Sequence, residues 1–576
     1  MIPKYHAKSV RPREMRMPLP ASSDLAGLAP DSARLPGPSK TCAVVSFVLL
    51  VVVALGLLAR SWHLSSWPAL HGDEAINGVM AERLIDAGPA AAQRSREYFS
   101  LLFPHLLVPS IHILGRTILA LRVLSLLAGM LSILAIYATG LRLFDRRGAQ
   151  VAAACMAILP VGIIFGRLGW DVSLLPGLVA LAFYLAVVAW QSRSIAAAMG
   201  AGLCMALGTW LHPTALLVPV SVAVAALAAG TLRQHLREAA ITGIITVSCS
   251  YIFFAHVISP QQPEQHNQGI AAYRQVAEMD TQGEWSSPWS LTLTAKNLLK
   301  SFDYLTGLTP ARFLLHLEGP TVFAARIAGM LAWAIIVVAA LRYGTPGRAL
   351  IAYLTAFLLL SHLANPAFIN VPSKGRYLLG LLPLAPLLAA YVSSVNVGRC
   401  SRTWPSWTAA ALAVLFACWV GVACLLLLHT GRGQTVHVEM MTAQHGDPKK
   451  LATDYLIEHG DPRHDIVIAK SWWTYWPLVY YCSGRLQLFT TDSMISETTV
   501  AEAWPEVRRV WYVGLSDTRG HAPPLQMTPM MRWTDAAGSS AELRLFMFTD
   551  TLAATEWLQA QWRHRGIRNA LHKPPS

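Results

Sequence analysis

Apolar runs of about twenty residues, broken by short polar turns, fill most of the first 430 positions. A helix needs a run of about that length to cross a bilayer. The first, TCAVVSFVLLVVVALGLLAR at 41–60, follows about forty polar, Pro-rich and basic residues and lacks a small-residue cleavage motif. It reads as an uncleaved anchor instead of a signal peptide. Further runs lie near 119–141, 148–166, 172–191, 194–211, 213–230, 238–259, 322–341, 349–367, 377–395 and 405–429. Together they predict a polytopic α-helical membrane protein with about eleven transmembrane helices.

Three segments break this pattern. Residues 61–118 form a first outer loop, with helix-like stretches at about 74–87 and 99–115, the second interrupted by Pro104 and Pro109 and suited to the interface. Residues 260–321 form a second outer loop, carrying Trp285 and Trp289. After position 430, LATDYLIEHG reads as a helix ending at Gly460, HDIVIAK as a strand, WWTYWPLVYYCSG as a helix, and LQLFTT and RRVWYVGLS as strands. That alternation predicts a small α/β layer with parallel pairing. The expected organisation is a basic tail at 1–40, a transmembrane domain at 41–429, and an extracytoplasmic α/β domain at 430–576.

Charge sets the orientation. With the N-terminus cytoplasmic, the inside loops carry Arg142, Arg146 and Arg147, then Arg193, Arg233 and Arg237, Arg342 and Arg348, and Arg399 and Arg402. An odd number of spans then places residues 430–576 outside. The content of 54% hydrophobic and 14% charged residues excludes an ordinary water-soluble enzyme. The net charge of +14 follows from topology and contact with anionic lipid, and calls for no nucleic-acid partner. Five of the eight cysteines lie inside apolar runs, and no CxxC or disulfide framework is legible. His459 and His464 read as solvent-exposed residues.

The candidate chemistry lies in HGDEAINGVMAERLIDAG, residues 71–88. Asp73 can be the N-cap of the following helix with Gly88 as its C′ residue, and Glu74 would then favour the positive helix end. A carboxylate fixed at the membrane surface can equally act as general base on a hydroxyl. Arg122, Arg167, Lys374 and Arg376 fall at the outer ends of spans, where arginine often snorkels to headgroups. Their gathering on the face of the acidic pair suits a leaving phosphate. Asp171 stands one turn after Arg167, where it can form an i,i+4 ion pair. His71 and Asp73 make an H-x-D pair that could contribute to a divalent metal site, without further ligands at telling spacing.

Several stretches together resemble a known family: DEA after the first span, RVLSLLAG opening the second, LPVGIIFGRLGWD between the third and fourth, then GLCMALGTWLHPTALLVP and KGRYLLGLLPLAPLL. Over roughly residues 40–395 the chain looks like the C-type membrane glycosyltransferases, in particular family 39, the protein O-mannosyltransferases, and the related lipid A aminoarabinose transferases. The resemblance implies a sugar donor on a polyprenyl phosphate, a hydroxyl acceptor on protein, lipid or glycan, and a single inverting displacement on the outer side of the membrane. It implies Asp73 as catalytic base with Glu74 as its companion. Arg122, Arg167, Lys374 and Arg376 match donor-phosphate positions, and Asp171 falls where relatives carry a polar or acidic residue. The segment between Gly88 and Arg122 lacks the proline-leucine pattern of many members, so the acceptor does not follow from the family. Short loops and the lack of eukaryotic targeting signals point to a bacterial cytoplasmic membrane. A flippase or transporter of lipid-linked sugars is the alternative reading, but such proteins tend to show repeats and midplane charges. A degenerate subunit kept as a scaffold is a third, against which the intact acidic pair argues.

Overall fold

The computed structural model describes residues 40–88, 102–253, 255, 301–306, 308, 319–342, 344–364, 378–395, 404–432, 447–469, 472–490, 509–516, 528–534 and 542–548. Lys374, Arg376, Trp285 and Trp289 lie outside them. The chain divides into two compact units, Met1–Val48 and Leu49–Ser576, and the second contains everything that positions the site.

Helix α1 (Lys40–Ser61) leads into a turn and then α2 (Gly72–Ala87). Next come α3 (Leu102–Leu114), α4 (Ile118–Leu143), α5 (Arg146–Ile158) and α6 (Pro160–Phe165). A 3-10 turn at Asp171–Leu174 opens α7 (Leu175–Ser192), followed by α8 (Ile195–Leu211), α9 (Leu217–Ala228) and α10 (Leu236–Phe253). The later helices are α11 (Pro320–Arg342), α12 (Thr345–Ala364), α13 (Leu384–Val395) and α14 (Trp404–Arg432).

Six segments are long and apolar enough to cross a membrane among the described residues: Ile118–Leu143, Asp171–Ser192, Val322–Arg342, Thr345–Leu363, Leu378–Val395 and Trp407–Leu428. Exposed leucines, valines and phenylalanines on these helices suit contact with lipid chains. The chain is a multi-pass membrane protein. Of the other expected spans, the first is represented by the short apolar helix Phe47–Ser61, and 213–230 and 238–259 pass only together, as a bent pair. The run 148–166 breaks at Leu159, because Pro160 has no N–H to continue the ladder. Pro213–Ala228 and Leu232–Ile252 meet at 118°, and Ile195–Leu211 is a short apolar helix.

The C-terminal elements form one five-stranded sheet of order β2-β1-β3-β5-β4. Helix α15 (Pro448–His459) precedes β1 (Asp465–Ala469), and α16 (Trp472–Cys482) links β1 to β2 (Gln487–Thr490). Strand β3 (Arg509–Ser516) pairs parallel with β1, on the side opposite β2. All five residues of β1 are buried, as a parallel strand covered on both faces requires. Strands β4 (Thr528–Thr534) and β5 (Glu542–Phe548) extend the sheet in antiparallel fashion, so it is mixed where sequence predicts parallel pairing alone. His464 is only part-exposed and pairs with Asp461 at 2.7 Å, whereas His459 is exposed and stacks on Tyr455. The sheet layer belongs to the same compact unit as the membrane helices and meets them through α16, which packs on α2.

Candidate active site

The acidic pair opens α2. The N-cap is His71, not Asp73: the His71 Nδ1 accepts the Asp73 N–H at 3.1 Å, and the Glu74 carboxylate returns to the His71 N–H at 3.1 Å. A capping box requires Glu or Gln three residues after the cap. Glu74 satisfies that for His71, whereas a cap at Asp73 would have Ile76 in the same place. Gly88 closes the helix at φ 74°, a left-handed angle that suits glycine, and donates to the Leu84 carbonyl.

Glu74 is completely buried and accepts four hydrogen bonds. Oε1 takes Arg122 Nε at 2.8 Å and the Gly169 N–H at 2.6 Å, while Oε2 takes Arg122 Nη2 at 2.7 Å and the His71 N–H. The fork-on-fork pair with Arg122 is the geometry in which a buried ion pair is best compensated. Glu74 thus joins the start of α2, the start of α4 and the turn before Asp171. None of the four bonds goes to Asp73.

Three buried arginines hold the chain that leads to this point. Arg122 also donates to the carbonyls of Leu64 (2.9 Å) and Ala69 (3.4 Å). Arg167 donates to the carbonyls of Ala59, Trp62 and Trp67 and lies over the Trp67 ring, 5.0 Å from its centroid. Arginine there replaces the bonds that the end of α1 loses where the chain turns out of the helix at His63. Arg60, which sequence reasoning passed over, caps a second broken end: it donates to Met156 and Ala157 at 3.0 and 2.8 Å. Met156 is the carbonyl that Pro160 cannot reach for want of an N–H. The side chain fits because Gly129, Gly162 and Gly166 leave a slot around it, a Cβ at any of them falling 3.0–3.2 Å from the Arg60 side chain.

These partners differ from the expected ones. Arg122 and Arg167 point at a carboxylate and at backbone carbonyls of this chain. Arg167 forms its hydrogen bonds with those carbonyls instead of pairing with Asp171, whose Oδ1 accepts the Val172 N–H at 2.8 Å.

Asp73 is buried, with its backbone fixed at both ends: its N–H goes to His71, and its carbonyl accepts Asn77 Nδ2 at 2.8 Å. Since His71 Nδ1 accepts that N–H, the ring proton sits on Nε2. His71 Nδ1 also approaches Asp73 Oδ2 at 3.9 Å. Among the described residues no three His, Cys, Asp or Glu side chains converge as a metal site. The His71 ring is flanked by Trp170 and Trp473, with centroids at 4.6 and 4.5 Å.

Trp473 comes from the C-terminal layer, and so does a second saturated carboxylate. Asp447 caps α15 through Oδ1 on the Lys449 N–H at 2.9 Å, with Lys449 Nζ at 3.3 Å. Its Oδ2 accepts the Leu70 N–H at 3.0 Å and the Tyr481 hydroxyl at 2.8 Å. Burial, and then the Asp447 charge, hold the Tyr481 hydroxyl well above its usual titration range, so it stays a donor. Asp447-Pro448 does carry a sequence signal, an Asp cap followed by Pro at the first helical position. Nothing local shows that this cap reaches back to Leu70.

Comparison with known proteins supports the fold. A family model described as dolichyl-phosphate-mannose-protein mannosyltransferase matches residues 100–258, a segment that starts after the acidic pair. ArnT from Cupriavidus metallidurans in the apo state is similar at 14% identity and TM-score 0.54, over 88% of this chain and 98% of that one. The same protein bound to undecaprenyl phosphate gives 15% identity and TM-score 0.53 over the same shares. An Archaeoglobus fulgidus oligosaccharyltransferase tethered to an acceptor peptide with the NVT sequon gives 13% identity and TM-score 0.50, over 81% and 69% of the two chains. No curated protein matches by sequence. The fold is that of the C-type membrane glycosyltransferases. Within that class the chain resembles family 39 and ArnT.

Proposed function

We propose that the protein transfers a sugar from a polyprenyl phosphate to a hydroxyl acceptor on the outer face of the membrane, with Asp73 as general base. The observation that carries this reading is the placement of Asp73 on a helix start whose backbone is held by His71 and Asn77, beside a Glu74 bound to Arg122, Gly169 and His71. In the reaction the acceptor oxygen attacks the anomeric carbon as the bond from that carbon to the phosphate oxygen breaks. The acceptor proton passes to Asp73, the bonding pair leaves with the polyprenyl phosphate, and the configuration inverts. Arg122 and Arg167 act as scaffold, so direct phosphate contact falls to Lys374 and Arg376, which the sequence places before a late span on the same face. The donor phosphate in ArnT and the match to mannosyltransferases support this donor class. A bacterial cytoplasmic membrane, with the N-terminus inside and the C-terminal layer outside, accords with the basic inner loops.

The test is release of free polyprenyl phosphate from a panel of polyprenyl-phosphate hexoses and pentoses, by purified protein in lipid with a cell-envelope extract as acceptor source. Asp73→Asn keeps the size of the side chain and removes the base, so release should fall by about 100-fold or more. Equal release by both proteins would remove Asp73 from the centre of the reaction, and none from wild type would overturn the transferase reading.

A further inference from the structure

Three backbone N–H groups at the start of α2 are bound by side chains. The Leu70 N–H goes to Asp447, the His71 N–H to Glu74, and the Asp73 N–H to the His71 ring. Two of these three bonds are made by the start of α2 itself, and one by a segment almost four hundred residues later. The His71 ring is likewise held between Trp170 of the core and Trp473 of α16. Further along the same seam, Arg116 joins Glu82 of α2 to Ser483 just after α16, and Tyr480 gives its hydroxyl to the Thr117 carbonyl at 3.3 Å. Tyr480 also fills the space that a Cβ on Gly78 would need.

From this arrangement we infer that the C-terminal layer is a working wall of the site, with Asp447 and Trp473 as positioning residues that aim Asp73. The inference rests on the role proposed for Asp73. Asp447 fixes the backbone at Leu70, the residue before the capping histidine, and Trp473 packs on the ring that receives the Asp73 N–H. Neither residue touches the reacting atoms in this scheme. A carboxylate is required at 447 because it accepts four donors at once: the N–H groups of Leu70 and Lys449, the Tyr481 hydroxyl and the Lys449 ammonium. An amide there would set an NH₂ group against donors.

The experiment compares wild type, Asp73→Asn, Asp447→Ala, Asp73→Asn with Asp447→Ala, Trp473→Ala and Trp473→Phe, all as full chains in lipid. Turnover is read with whichever donor of the panel wild type consumes. Asp447→Ala should lower kcat by about 10- to 100-fold through misplacement, with the donor KM within about twofold. Added to Asp73→Asn it should cost nothing further, because there is no base left to aim. Trp473→Phe should keep most of the activity that Trp473→Ala loses. Amide hydrogen exchange over residues 69–74 should accelerate in Asp447→Ala. Additive losses in the double variant, or unchanged exchange at 69–74, would overturn the proposal. Should Asp447→Ala fail to fold, Tyr481→Phe removes one donor to the same carboxylate and carries the same exchange readout. Asp73→Asn turning over like wild type would instead remove the base assignment on which the proposal rests. If wild type consumes no donor, the exchange measurement alone decides the clamp.

Discussion

Glu74 and Asp73 are neighbours in sequence and both buried. Glu74 is sunk between two helices and a turn, and replacing Arg122 by Met would leave its carboxylate buried with two backbone donors alone. Stranding one partner of a buried pair costs about 3–5 kcal/mol, so the thermal midpoint of Arg122→Met in detergent should drop sharply. Glu74→Gln combined with Arg122→Met should regain part of that loss, since the uncompensated charge is gone. The adjacency of the two acids and their place at a helix start were legible in sequence. The pairing of Glu74 was not, because it finds Arg122 48 positions away. The arginines mislead in the same way: a basic residue at a span end looks alike whether it faces a phosphate or the carbonyls of a neighbouring helix. Arg60 was missed for that reason, although Leu159-Pro160 announces a break whose carbonyls need a donor.

Among the elements, hydrophobic runs predicted most helices and, in the C-terminal segment, the order helix, strand, helix, strand, strand. What they did not give is continuity. A run long enough to span can hold a proline break, as between α5 and α6, and the break stands because a side chain from α1 repairs it. Arg60→Met would strip the donor from Met156 and Ala157, each orphaned buried carbonyl costing about 1–3 kcal/mol. Cysteine labelling at Cys155, buried in α5, should therefore speed up in Arg60→Met, while labelling at the exposed Cys424 should not change. Strand β5 carried a readable alternation in Glu542, Leu543, Arg544 and Leu545. Its antiparallel partnership with β3 was beyond local reading, because a chain segment does not state which edge it will join.

At the scale of the whole molecule, the seam between α2 and α16 carries a titratable group. Burial pushes the Glu82 carboxyl up to about 7 from its ordinary 4.5, outweighing the attraction of Arg116, with Asp86 adding to the rise. The folded state therefore holds this proton where the unfolded chain releases it, and stability falls as pH rises from about 4.5 to about 7, then levels. Glu82→Gln should flatten the thermal midpoint across that window, leaving other pH dependence in place. Thermal scans of both proteins in one detergent check this, and parallel curves would rule it out. That the C-terminal layer and the first loop share one core was not legible either, since Leu70 and Asp447 lie 377 positions apart.

The chain from Ala59 to Ala69 is gripped by guanidinium groups that bind main-chain oxygens. Such a grip is indifferent to which side chains the gripped residues carry. Mutational drift, or an engineer reshaping the surface near Asp73, is thus free to rewrite the exposed positions of this turn, such as Trp62, His63, Ser65 and Ser66, without dislodging it, while Arg60, Leu64, Trp67 and Ala69 stay fixed by their own burial. The heritable constraint has been moved elsewhere, to two arginines at distant helix ends. Lysine does not substitute there, because a point charge does not span the paired oxygens that a planar fork reaches.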